Sequence, residues 1–246
     1  MELQVALIVM AIFLLAGTVK GVIGLGLPTV SLAGLSIFIE LPAAVMLMVI
    51  PSAITNLWQA IDGPHFVELL RRFWLMLLAS AIGVWFAYGL LLVTNPKAMT
   101  GVLGLTLCAY AAISLWGGRL VPRVTRERLA SPWIGLTTGA LAGATGSLVM
   151  PVVPYLQALE LERAAFVQML GISFTVSTVA LGVAIVDHGA FDGEQALVSL
   201  VALVPALVGM QVGKQLRRRL SERVFRRCLF IGLLIIGLRL IWKGFY

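Results

Sequence analysis

The sequence predicts an all-α polytopic membrane protein built from two inverted repeats, each a broken helix and half-helix hairpin followed by about three spanning helices. Three observations carry this: the composition, a series of apolar runs of spanning length, and a Gly-rich break that occurs twice. Of 246 residues, 60% are apolar before the 25 glycines are counted, only 12% are charged, and mean hydropathy is +1.02. Soluble domains are roughly 45–50% apolar with glycine included and about 25% charged. A water-facing fold cannot hide this much apolar surface, so the solvent is lipid. The same numbers exclude a disordered chain, a secreted soluble domain and a disulfide scaffold. The net charge of +7 comes from basic residues clustered between apolar runs, which is the positive-inside pattern and not a nucleic-acid surface. Cys108 and Cys228 lie in apolar runs with no metal spacing.

Taken in order, the apolar runs are 3–19, 29–39, 42–61, 73–93, 98–116, 132–149, 152–159, 164–186, 196–212 and 224–242. A span needs about 20 residues. The first run has no basic stretch before it, so it reads as a membrane segment and not as a cleaved signal. Runs 29–39 and 152–159 are too short to cross, and each follows a Gly-rich break. The first break is Gly21-Val22-Ile23-Gly24-Leu25-Gly26-Leu27-Pro28, and the second is Gly143-Ala144-Thr145-Gly146-Ser147-Leu148-Val149-Met150-Pro151.

These breaks mark an internal repeat. A shift of 122 places Gly17, Gly21 and Gly24 on Gly139, Gly143 and Gly146, and Thr55 on the hydroxyl of Ser177. The expected units are 1–120 and 132–246, joined by a basic cytoplasmic linker at 121–131. Charge counting sets the topology. If the short runs merely extend their neighbours, eight basic residues fall on one side and nine on the other. If each short run turns back, fourteen fall on one side and three on the other, with Lys20 left inside the membrane. Cytoplasmic loops carry the Lys/Arg excess, so the second arrangement is expected. Each half then makes three net crossings, and the halves are inverted relative to one another. Both termini and the acidic loop with Asp187, His188, Asp192 and Glu194 lie outside. Trp58 and Trp74 are expected at the membrane interface, and His65 and His188 in loops.

Backbone polar groups in the hydrocarbon must be paired or face a protein-lined cavity. Glycine permits the turn, Pro28 suits the first turn of a short helix, and Ser147 is expected to cap the second short helix. Two short-helix N-termini, each with free N–H groups and about half a positive charge, would then face each other across an anion site. Close helix packing of the small-xxx-small type explains the same glycines without a ligand. Lys20 follows seventeen uncharged residues and adjoins the first break. An intramembrane cation is expensive and marks a functional site, whereas a lysine snorkelling from a helix end does not. Ser52, Thr55, Asn56 and Gln59 share one helix face, as do Ser173, Ser177 and Thr178; they either line a pathway or bond between helices.

The two breaks carry a family resemblance. Gly17 to Pro28 resembles the first signature of the sulfite exporter TauE/SafE family, and Gly139 to Pro151 its second. The resemblance implies export of sulfite, an organosulfonate or a related small acid across a bacterial inner membrane. It marks Gly21, Gly24, Gly26, Pro28, Gly143, Gly146 and Pro151 as signature positions. With Lys20, Thr55, Asn56, Ser147 and Ser177 these complete the expected substrate site. The expected partners are a small anion, the bilayer and a coupling proton or other ion, with no cofactor, no metal and no enzymatic activity. An anion channel, a non-transport membrane subunit and an intramembrane protease are the alternatives. Ser147 beside Gly146 is the only feature that suggests the protease.

Overall fold

The computed structural model describes residues 3–116, 126–217, 219 and 221–245. They form α1 (Leu3–Ile23), α2 (Leu27–Phe38), α3 (Leu41–Ile61), α4 (Phe66–Val93), α5 (Pro96–Trp116), α6 (Glu127–Thr145), α7 (Val152–Ala158), α8 (Arg163–Asp187), α9 (Gly193–Leu216) and α10 (Glu222–Phe245). Each apolar run becomes one helix. Six of these, α1, α3, α4, α5, α8 and α9, are long and apolar enough to cross a membrane. The helices α6 and α10 reach 19 and 24 residues. By contrast, α2 and α7 have 12 and 7 residues, roughly 18 and 10 Å at 1.5 Å per residue. α6 begins inside the stretch expected to be linker, and residues 117–125, with Arg119 and Arg123, lie outside the described residues.

Glycine sets how the long helices meet. A Cβ at Gly17 or Gly21 of α1 would fall 2.1 or 2.3 Å from the carbonyl oxygens of Ala206 and Met210 on α9. At Gly139 or Gly143 of α6 it would fall 2.0 or 2.4 Å from those of Ser80 and Val84 on α4. Lipid offers no hydrophobic drive between helices, so close backbone approach and van der Waals contact hold them together. In both pairs the contacts step forward together, so α1 runs parallel to α9, and α4 parallel to α6. Elsewhere the order reverses. Gly171 and Gly182 of α8 meet Ala60 and Val49 of α3, and Gly101 and Gly104 of α5 meet Phe245 and Ile241 of α10. Those two pairs are antiparallel.

These contacts fix the remaining directions. Ser199 of α9 bonds the Leu47 carbonyl of α3, and Ser80 and Tyr88 of α4 meet Ser177 of α8 and His188 at its C-terminal cap. Thus α1, α3 and α9 run one way, and α4, α6 and α8 the other. α2 therefore carries the chain back between α1 and α3, and residues 146–162 do so between α6 and α8. One end of the bundle gathers Arg71, Arg72, Arg126, Arg128, Arg163, Lys214 and Arg217; the other holds Lys97, Asp192, Glu194, Arg239 and Lys243.

At the basic end, Gln168 clamps the end of α3. Its amide nitrogen donates to the carbonyls of Ala60 and Gly63 at 2.9 and 3.0 Å, and its oxygen accepts the His65 N–H at 2.9 Å. Arg72 grips Glu127 with two bonds of 2.7 and 2.6 Å, joining α4 to α6. At the other end Lys243 donates to the Ser36 carbonyl at 2.9 Å, on the last turn of α2. Outward-facing side chains such as Leu57, Trp58, Trp74, Phe86 and Val204 are apolar and exposed, which suits a lipid-facing surface.

Candidate functional site

The first break is made by glycine backbone. The Gly24 N–H closes α1 on the Lys20 carbonyl at 2.7 Å. Gly24 and Gly26 then take φ of 87° and 111°, the left-handed region that a side chain disfavours. α2 starts at once at Leu27, with Pro28 in its first turn. The second break opens identically: the Gly146 N–H bonds the Ala142 carbonyl at 2.7 Å and φ is 75°. It then diverges. Residues 147–151 are non-helical, and α7 starts only at Val152, directly after Pro151.

Two expectations are corrected by this divergence. Ser147 does not cap the short helix, because α7 begins five residues later; its hydroxyl is buried with no partner. Nor do the two helix starts face each other. Gly24 lies against Val167, and Gly146 against Val45 and Leu32. Val167 is one turn before Gly171, which meets Ala60, and Val45 to Ala60 spans roughly 22 Å of helix rise. The breaks therefore sit toward opposite ends of the bundle. Gly21 and Gly143 are in the helix contacts described above and do not turn the chain, so the packing explanation accounts for those two, whereas Gly24, Gly26 and Gly146 are glycine for their backbone angles.

Between the breaks lies Lys20, 3% exposed. Its ammonium donates to Thr55 Oγ1 at 3.2 Å and to Asn56 Oδ1. The Thr55 hydroxyl donates in turn to the Pro51 carbonyl at 2.7 Å. Along the antiparallel α3–α8 contact, Thr55 and Asn56 fall midway between Val49 and Ala60, and Ser177 and Thr178 midway between Gly171 and Gly182. The polar layer is thus at the centre of the pair. Ser177 does not join Lys20; it bonds Ser80 at 2.9 Å. Ser80 was missed in the sequence, where its signal was a lone serine in the apolar run 73–93.

The cluster has donors to spare. Among the described residues no carboxylate pairs with Lys20, and the buried Asn56 Nδ2 has no partner. An ammonium has three protons and an amide nitrogen two. A buried charge and buried donors left without acceptors are costly, and an anion supplies both a counter-charge and acceptors. Among the described residues no group of His, Cys, Asp or Glu is placed to hold a metal.

Proline shapes the same helix. Pro51 has no N–H, which leaves the Leu47 carbonyl without its ladder donor. Ser199 of α9 supplies one at 2.8 Å, the kind of side-chain repair that proline in membrane helices needs.

Helices of spanning length, glycine-packed backbones, a returning half-helix and one cation at the centre define a polytopic helical membrane protein. The chain belongs to the sulfite exporter TauE/SafE family, whose family model matches residues 9–240 of 246. That family consists of membrane transporters. No curated protein and no solved structure was found to match the chain.

Proposed function

We propose that the chain is a secondary transporter that exports a small anion, such as sulfite, an organosulfonate or a related small acid, across a bacterial inner membrane by alternating access. The observation that carries this is Lys20: a buried cation with no carboxylate partner among the described residues, beside the unfilled donor of Asn56. The anion binds at Lys20, Thr55 and Asn56, and the left-handed glycines Gly24, Gly26 and Gly146 supply the turns that let the chain return on either side. The halves act as inverted repeats, 1–120 and 132–246, a plan common among secondary transporters. Support comes from the contact pattern: the counterparts α3 and α8 are antiparallel, as are α5 and α10, and the α1–α9 packing is mirrored by α4–α6. A proton moving with the anion is the simplest coupling ion, because Lys20 can carry it.

The test is counterflow of labelled sulfite and sulfonates in proteoliposomes containing the full chain. Uptake driven by unlabelled internal anion supports the exporter. A passive conductance without counterflow indicates a channel, and no movement of any small anion rejects transport of this class.

A further inference from the structure

A cleft of about 120 Å³ lies between α3 and α9, toward the basic end of the bundle. Its walls include Ile54, Thr55, Trp58, Met210, Gln211 and Lys214. The volume is that of about four waters at roughly 30 Å³ each, enough for a small oxyanion that has shed part of its hydration. The residues change character with depth. Gln211 and Lys214 are exposed, whereas Thr55 is 1% exposed and accepts the hydrogen bond from Lys20. One buried hydroxyl therefore borders the cleft that Lys214 also lines and accepts the bond from Lys20.

Three further facts bear on what enters. Among the described residues no acidic side chain lines the cleft. Among the described residues no carboxylate pairs with Lys214. The helix that carries Lys214 is held tightly at this point: a Cβ on Gly21 would fall 3.0 Å from the Lys214 backbone nitrogen and 2.3 Å from the Met210 oxygen. Lys214 is thus fixed one helix away from the first break.

We infer that this cleft is the cytoplasmic access path of the transported anion, with Lys214 capturing a small oxyanion at the mouth and Gln211 passing it to the Lys20 site. The inference rests on the transporter reading above. A mouth lined by one sign of charge with low-dielectric walls raises local anion concentration and capture rate. Lys214 then governs arrival and not the later steps. Its loss raises KM from the cytoplasmic face, leaves kcat nearly unchanged, and matters less as salt rises.

The probe is sulfite, and the preparation is inside-out vesicles containing the full chain. In dilute salt Lys214→Gln raises KM about ten-fold, at the low end of what such focusing gives, while Lys214→Arg stays near wild type. The difference shrinks in about 1 M salt, where screening acts within about 3 Å. Arg217→Gln, which removes a neighbouring charge outside the cleft, leaves KM unchanged. Two results overturn the proposal: an unchanged KM in Lys214→Gln, or an equal rise in Arg217→Gln, which would assign the effect to the general charge of that face. Gln211→Cys in a background without Cys108 and Cys228 gives a second measure. A negatively charged thiol reagent added to the cytoplasmic face blocks transport if the anion passes there, and unimpeded transport after complete labelling rejects the path. Lys20→Gln separates this from the underlying reading. If it abolishes transport while Lys214→Gln is silent, the site stands and the path falls; if both are silent, the site itself falls.

Discussion

Lys20 on α1 donates to the hydroxyl of Thr55 on α3 at 3.2 Å, and Thr55 in turn donates to the Pro51 carbonyl at 2.7 Å. A cation at the end of a broken helix is thereby joined to the proline turn of its neighbour. A hydroxyl that bonds back four residues is known to bend helices, and proline does so more strongly. The buried charge of α1 and the proline turn of α3 are thus linked through one oxygen.

The first consequence is for affinity. Lys20→Gln keeps length and polarity but removes the charge. A charge-assisted hydrogen bond contributes about 1.5–3 kcal/mol, so sulfite affinity should fall between about ten-fold and somewhat over a hundred-fold. Lys20→Glu should be worse, because it adds repulsion. If Lys20 carries the coupled proton, transport is pH-dependent in the wild type and flat in Lys20→Gln. Binding by calorimetry and transport across a pH series check the two parts. Unchanged affinity in the Gln variant would make Lys20 a structural tie between α1 and α3 and remove it from the site.

Ser199 and Pro51 form a second testable pair. The Ser199 hydroxyl occupies a carbonyl left open by Pro51. Ser199→Ala should cost about 0.6 kcal/mol and at most about 1.7, the range for such bonds between membrane helices. In a Pro51→Ala background the ladder N–H returns, so the same serine change should cost less. Thermal melts of the two single variants and the double variant give the coupling energy. Additive losses would mean that Ser199 does not repair the kink.

The glycines divide by mechanism, and the division predicts different variants. Gly21→Ala and Gly143→Ala place a methyl 2.3 and 2.4 Å from backbone oxygens, so the helices must part; overpacking of this kind costs about 1–3 kcal/mol. Gly24→Ala meets only Val167 at 3.8 Å but keeps φ at 87°, costing about 1–2 kcal/mol in backbone strain. Gly193→Ala meets nothing within 4 Å and should be silent. Bulkier Gly24→Leu should abolish transport in protein that still folds, whereas Gly146→Leu, whose Cβ would fall 2.8 Å from Val45 and 3.0 Å from Leu32, should also lose stability. Melting in detergent ranks the alanine variants; a Gly21→Ala protein as stable as Gly193→Ala would remove the packing argument.

Much of this was legible in the residues. Apolar runs gave the helices because spanning length is a simple property of sequence, and a lone lysine after seventeen uncharged residues is conspicuous. Thr55 and Asn56 showed their shared face through spacing, but their bond to Lys20 depends on how α1 packs on α3, which no local pattern encodes. Gly21 and Gly24 look alike in sequence; only the backbone tells a packing glycine from a turning one. In sequence the second break looks like a mirror of the first. Pro151 disfavours helix at Met150, and α7 starts only after that proline, so the two helix starts never face each other. Gln168, a polar residue with no evident partner in the sequence, proves to hold the α3–α4 turn from 103 residues away.

Topology provides the last prediction. The helix directions place Arg126 and Arg217 at the same end of the bundle and Asp192 at the other. Arg123 and Arg218, the natural choices from charge counting, lie outside the described residues, and Arg126 and Arg217 replace them. In a chain with Cys108 and Cys228 changed to serine, a cysteine at Arg126 or Arg217 should react with an impermeant thiol reagent only from the cytoplasm. One at Asp192, which caps α9 through bonds to the N–H groups of Glu194 and Gln195, should react only from outside. The physical basis is charge counting on the sequence, which expects fourteen basic residues on the cytoplasmic side, and this count depends on α2 and residues 146–162 turning back. If Arg126 and Arg217 report opposite sides, one of those returns is absent, α1 and α9 cannot run parallel, and the inverted halves are lost with them. If all three sites react from the reversed faces, the bundle stands but its orientation is inverted, and the cleft at Lys214 would open to the outside.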